Sequence, residues 1–137
     1  MTFGPLHHIG HIVPSVAEAR RILVEQLGGE LFGEPVDLED GVARIGFVQM
    51  PGVLLELIEP IAQGTDLTAF LEAHPGGGQH HVCYQVPDIE AGRADCAAAG
   101  LELLTPVMTG VLGLPIFFVR MPGLPGLLVE FIEVKTS

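Results

Sequence analysis

The chain contains one pattern twice. "HHIGHIVPSVAEAR" (7–20) lies over "HHVCYQVPDIEAGR" (80–93), so that His8 falls on His81, Val13 on Val86, Pro14 on Pro87 and Arg20 on Arg93. Ile9/Val82 and Val16/Ile89 are conservative pairs in the same alignment. Further along, "FVQMPG" (47–52) matches "FVRMPG" (118–123), and "LLELIE" (54–59) matches "LVEFIE" (128–133). A long repeat present only twice does not describe a solenoid. It describes two copies of one supersecondary unit within a single domain of 137 residues. The first module spans about 6–60, a linking helix and loop 61–78, and the second module about 79–134.

Each copy reads as β-α-β-β-β, an α+β plan. "HHIGHIV" and "HHVCYQV" alternate in strand fashion and stop at proline. "SVAEARRILVEQL" (15–27) follows as a helix, with Ser15 and Glu18 in the spacing of a capping box and Gly28-Gly29 at its end. Asp88 is placed to cap "IEAGRADCAAA", which ends at Gly100. Strand-like runs come next: "ELFGEPV", "VARIGFVQM" and "VLLELIE" in the first copy, "LELLTPV", "PIFFVRM" and "LLVEFIEV" in the second. Between the copies, "TDLTAFLEA" (65–73) reads as a short capped helix and "HPGGG" (74–78) as a loop.

Charge narrows the partners. Six basic residues stand against seventeen acidic ones, a net charge of −11. Phosphate-rich nucleic acid and anionic membrane surfaces would be repelled. No apolar run approaches the roughly 20 residues of a membrane span, and "MTFGPLHHIG" lacks the pattern of a signal peptide. Cys83 and Cys96 read as two buried thiols in a reducing, cytoplasmic setting.

The duplication gives the histidines and glutamates a meaning that none has alone. Side chains alternate along a strand. Ile9 and Val13 are the natural contacts of the first helix, which turns His8 to the opposite face. By the same alternation His81 shares a face with Cys83 and Gln85, while Val82, Tyr84 and Val86 lie under the second helix. Glu56 and Glu130 each stand inside an apolar strand, where an unpartnered carboxylate costs several kcal/mol. One histidine and one glutamate per copy, brought together about a pseudo-twofold axis, make a set of four: His8, Glu56, His81 and Glu130. Two imidazoles and two carboxylates suit one divalent ion such as Zn, Ni, Co, Mn or Fe(II). On an octahedral ion, four protein ligands leave two open positions, as catalytic sites do. His7 and His80 lie one residue off; His11 reads as a structural residue and His74 as a surface one.

In these features the chain resembles the vicinal oxygen chelate superfamily over residues 6–134, and within it the methylmalonyl-CoA epimerases. The stretches that carry the resemblance are "HHIGHIV", "LELIEP", "TDLTAFLEAHPGGGQHHVCYQVPDIEA" and "GLLVEFIE". The resemblance implies paired βαβββ modules forming a cupped mixed sheet around a divalent metal, with His8, Glu56, His81 and Glu130 at the ligand positions. It implies an isomerase that works through a metal-stabilised enolate on a 2-substituted acyl-CoA or related small acid. It also implies a homodimer. "LEDGV" puts Glu39 where the epimerases carry an acidic residue, so Glu39 and Glu130 would be the pair that removes and returns the α-proton.

Two other activities share these ligands or this fold. A glyoxalase I-type lactoylglutathione lyase uses the same ligand pattern, and a small-molecule binding or resistance protein would use the cup without turnover. For coenzyme A phosphates the chain offers only Arg20, Arg21, Arg44, Arg93, Arg120 and Lys135. Of these, Arg20, Arg21 and Arg93 are expected on solvent-facing sides of helices. Apolar "TGVLGLPIFF" (109–118) would suit a smaller acid or ketone.

Overall fold

A computed structural model describes residues 3–135. The chain divides into two compact units. One is His8–His80; the other joins the residues up to His7 with those from His81 onward.

In the first unit most of β1 (Leu6–Ile12) leads into α1 (Val16–Leu27), followed by β2 (Glu30–Asp37), β3 (Ala43–Met50), β4 (Val53–Pro60) and α2 (Asp66–Ala73). Its strands lie in the order β2-β3-β4-β1. The β2/β3 and β3/β4 pairs are antiparallel, and β4/β1 is parallel. The outer strand β2 is bulged between Phe32 and Val36, the stretch that contains Pro35, whose missing N–H a regular ladder would not tolerate. Helix α1 begins where Ser15 Oγ accepts from the Glu18 amide and ends at Gly28 in the left-handed conformation. The reciprocal half of the expected capping box is absent from the bonds of Glu18: its carboxylate accepts from Arg21 instead. A full box sits at α2, where Thr65 and Thr68 bond each other's backbone amides. The inner side of α1 covers Val13, Val16, Val48 and Leu57, with Leu23 and Met50 at the margin. Each such buried aliphatic side chain is worth about 2 kcal/mol.

The second unit holds most of β5 (Gly78–Val86), then α3 (Ile89–Ala98), β6 (Glu102–Leu103), β7 (Met108–Thr109), β8 (Pro115–Met121) and β9 (Leu124–Glu133). The order is β5-β9-β8-β6, with β7 also on β8. Again the first and last strands of the copy, β5 and β9, are parallel. Asp88 caps α3 by accepting from the Ala91 amide. Under α3 lie Val86, Ile89, Cys96, Phe117, Val119, Val129 and Phe131, flanked by Val82 and Tyr84. Cys83, Ile116 and Ile132 form a separate cluster with Phe118. The start of the chain belongs here too, because the Gly4 amide donates to Gln85 and the Gln85 amide to Pro5.

One predicted strand is broken. "LELLTPV" forms only the two-residue β6, and pairing resumes at β7. The reason is local: Pro106 has no N–H to give, and Thr105 is turned to other work. Its hydroxyl accepts from the Phe118 amide and its carbonyl from Arg93. Among the described residues no helix is long and apolar enough to cross a membrane.

Candidate functional site

Each unit buries one histidine beside one glutamate, at equivalent places. In the first, the parallel register sets Gly10 against Glu56, and His8 lies two residues earlier on the same face of β1. His8 is 2% exposed and Glu56 8%. His8 Nε2 and Glu56 Oε1 are 3.8 Å apart. In the second, Cys83 pairs with Glu130, and His81 lies two residues earlier. His81 is 3% exposed and Glu130 5%, with Nε2 and Oε1 3.0 Å apart.

The same aromatic ring backs each pair. Phe47 of β3 is the register partner of Glu56, and its ring meets His8 edge-on at 6.3 Å. Phe118 of β8 is the partner of Glu130, and its ring meets His81 edge-on at 5.6 Å. These two phenylalanines went unnoticed as site residues in the sequence, although "FVQM" and "FVRM" carried the signal. A ring edge against an imidazole limits its rotation and shields the neighbouring carboxylate from water.

The alternation expected from the strands holds. Leu57, next to Glu56, packs under α1, and Val129 and Phe131, on either side of Glu130, pack under α3. The carboxylates are thereby forced onto the face opposite the helices. A buried N/O donor pair of this kind is costly without a cation or a proton between its members. Its chemistry fits half the ligand set of a borderline divalent metal.

Glu39 belongs to a loop rather than to a strand. It is exposed, in the tight turn joining β2 to β3, where the Leu38 amide donates to Ala43 and the Gly41 amide to Leu38. His11 is half-buried on the helix-facing side of β1, and burial lowers its pKa below the usual histidine value. His74 is exposed and stacks on Phe70.

The arginines correct one expectation. Arg21 faces solvent between Glu18 and Glu25. Arg20 does not: it is only 7% exposed, and its Nη2 donates to the Gly33 carbonyl at 2.6 Å. Arg93 is half-buried, and two of its nitrogens donate to Thr105. Both arginines tie their helix to the chain that follows it, a role that helical periodicity alone does not reveal.

A profile of the Glyoxalase/Bleomycin resistance protein/Dioxygenase superfamily matches residues 7–118. The chain belongs to that superfamily. It is 35% identical over 133 residues to an ethylmalonyl-CoA/methylmalonyl-CoA epimerase of Cereibacter sphaeroides, covering 96% of this chain and 98% of that one. It is 31% identical to the mitochondrial methylmalonyl-CoA epimerase of Bos taurus, over 93% of this chain and 73% of that one. Such relatives are isomerases, and the chain is an enzyme of that kind. Among solved structures it is similar to a hypothetical protein from Bacillus halodurans C-125, with a TM-score of 0.84 at 27% identity, covering 97% of this chain and 96% of that one. The methylmalonyl-CoA epimerase of Mycobacterium tuberculosis shares the fold, with a TM-score of 0.84 at 22% identity, covering 96% and 88%.

Proposed function

We propose that the chain is a divalent-metal-dependent epimerase of 2-substituted acyl-CoA thioesters. As the resemblance implies, His8, Glu56, His81 and Glu130 would hold the ion. One observation carries the reading: each copy of the repeat buries the same histidine–glutamate pair against the same phenylalanine. The end-to-end likeness to an ethylmalonyl-CoA/methylmalonyl-CoA epimerase supplies the substrate class. It favours epimerisation over the lyase and binding-protein alternatives.

The bound ion would supply Lewis-acid stabilisation of negative charge beside the α-carbon. The chain's own groups handle the proton. Glu39 and Glu130 serve as the acid–base pair, one removing the α-proton and the other returning a proton to the opposite face. One C–H bond breaks and one forms, so the configuration inverts and nothing else is gained or lost. The apolar neighbours Ile116, Phe118 and Ile132 keep water from the carbanionic stage. As the resemblance implies, the working form is a homodimer, and the two buried free thiols, Cys83 and Cys96, suit a reducing cytoplasm.

Incubation with methylmalonyl-CoA or ethylmalonyl-CoA in deuterated water tests the reaction. One deuterium should appear at the α-carbon. A chain that exchanges neither substrate is not this enzyme. Glu39→Gln should stop exchange and leave metal content unchanged; surviving exchange would remove Glu39 from the mechanism.

A further inference from the structure

An acyl-CoA is polyanionic, and this chain has only six basic residues with which to meet it. Five are engaged within the fold. Arg20 donates through Nη2 to Gly33, although its Nε has no partner among the described residues; Arg93 donates to Thr105, Arg21 to Glu18 and Glu25, and Arg44 to Asp37. Lys135 lies 3.4 Å from Glu133. Arg120 is the sixth.

Its position is informative. On β8, Phe117, Val119 and Met121 pack under α3. Ile116, Phe118 and Arg120 therefore share the other face, the one that carries His81 and Glu130. Phe118 is the register partner of Glu130, and Arg120 is the partner of Leu128, one step further along. A two-residue step is about 7 Å, within the span of a small acyl group and its thioester arm. Arg120 is half-buried, and its Nε is buried with no hydrogen-bond partner among the described residues. Glu102, its register partner on β6, is exposed and leaves that nitrogen unmatched. A guanidinium whose Nε is unmatched among the described residues, set on the face of Glu130, is placed to receive an anion.

We propose that Arg120 anchors an anionic oxygen group of the substrate, either the free carboxylate of the malonyl unit or a phosphate of coenzyme A. This rests on the acyl-CoA reading above and assigns the cation that reading requires. Arg120 binds and orients; the proton transfers belong to other groups.

Calorimetric titration of the metal-loaded protein with methylmalonyl-CoA, and separately with coenzyme A, decides the matter without turnover. Arg120→Gln should weaken methylmalonyl-CoA binding by about 10- to 100-fold, the value of a hydrogen bond to a charged group. Arg120→Lys should recover part of the loss by restoring the charge without the fork. If coenzyme A weakens in parallel, the anchored group is a phosphate; if it does not, it is the carboxylate. Matching melting temperatures and metal contents establish that the variants are folded. Unchanged affinity for methylmalonyl-CoA in folded Arg120→Gln overturns the proposal, as does a wild-type chain that binds neither molecule. Failure of deuterium exchange in a wild-type chain whose binding still depends on Arg120 would instead overturn the epimerase reading alone.

Discussion

The Val16 amide donates to the Glu59 carboxylate at 2.8 Å, and the second copy repeats the bond, with the Ile89 amide donating to Glu133 at 3.0 Å. Each glutamate sits three residues beyond a candidate ligand, Glu56 or Glu130, on the last strand of its copy. Each amide opens the helix that follows the histidine-bearing strand. Those two strands are parallel neighbours with no hairpin between them. The carboxylate thus clasps the end of one to the chain leaving the other. It also satisfies a donor that the first turn of a helix leaves unpaired and meets the positive end of the helix dipole.

Breaking that clasp should be visible in stability. Glu59→Ala and Glu133→Ala should each cost about 1–2 kcal/mol. In thermal denaturation this is a drop of about 3–8 °C. Glu59→Gln should lose less, because the amide oxygen still accepts. A melting temperature unmoved by either alanine would show that the first-turn amides are equally content with water.

Much of this was legible beforehand because the repeat gave every reading a control. The faces of His8 and His81 followed from strand alternation and from which side the helices must cover. The glutamates stood out because a carboxylate in an apolar strand is expensive. What stayed hidden depended on tertiary pairing. Phe47 and Phe118 look like ordinary core residues until the antiparallel register sets them against Glu56 and Glu130. The second glutamates of "LLELIE" and "LVEFIE" look like solvated strand ends until a helix start arrives above them. Arg20 and Arg93 read as surface residues because a helix pattern does not say where the next strand's carbonyls lie. The strand expected over "LELLTPV" failed at Pro106, where the chain needed a donor that proline lacks.

Glycine at position 77 is enforced from two sides. Its φ is +88°, and a Cβ there would lie 2.1 Å from the Ile12 carbonyl oxygen. That neighbour is backbone at the end of β1 and cannot swing away. Gly77→Ala should cost about 2–4 kcal/mol through strain and displacement. The control is Gly76→Ala, where a Cβ meets nothing within 4 Å. A urea midpoint equally affected by both substitutions would show that the loop readjusts.

Burial of His11 makes stability depend on pH with a definite sign. Its folded pKa is lowered by desolvation from the model-peptide value of 6.5. Between the folded value and 6.5 the unfolded chain binds more protons than the folded one. The stability is fully present above about pH 6.5 and declines as pH falls toward the folded pKa. His11→Leu should therefore flatten this part of the profile. Chemical denaturation at pH 7.5 and 5.5, in wild type and variant, checks it. An equal loss in both proteins would assign the effect to other groups.

The metal reading makes a prediction about counting. If the four side chains hold one ion, His8→Ala should empty the site as completely as His81→Ala does. Metal per chain should fall from one toward zero in either variant. If each histidine–glutamate pair instead bound its own ion, either substitution would leave half the metal behind. Stability should follow the same logic. An ion that binds only the folded chain adds about 2.7 kcal/mol when its free concentration is 100 times its dissociation constant. A chelator should then lower the melting temperature of the wild type by several degrees and leave both variants unmoved. Elemental analysis after dialysis, paired with melts in the presence and absence of chelator, reads both quantities. Half-occupied variants that still respond to chelator would break the link between the two copies that the proposed function requires.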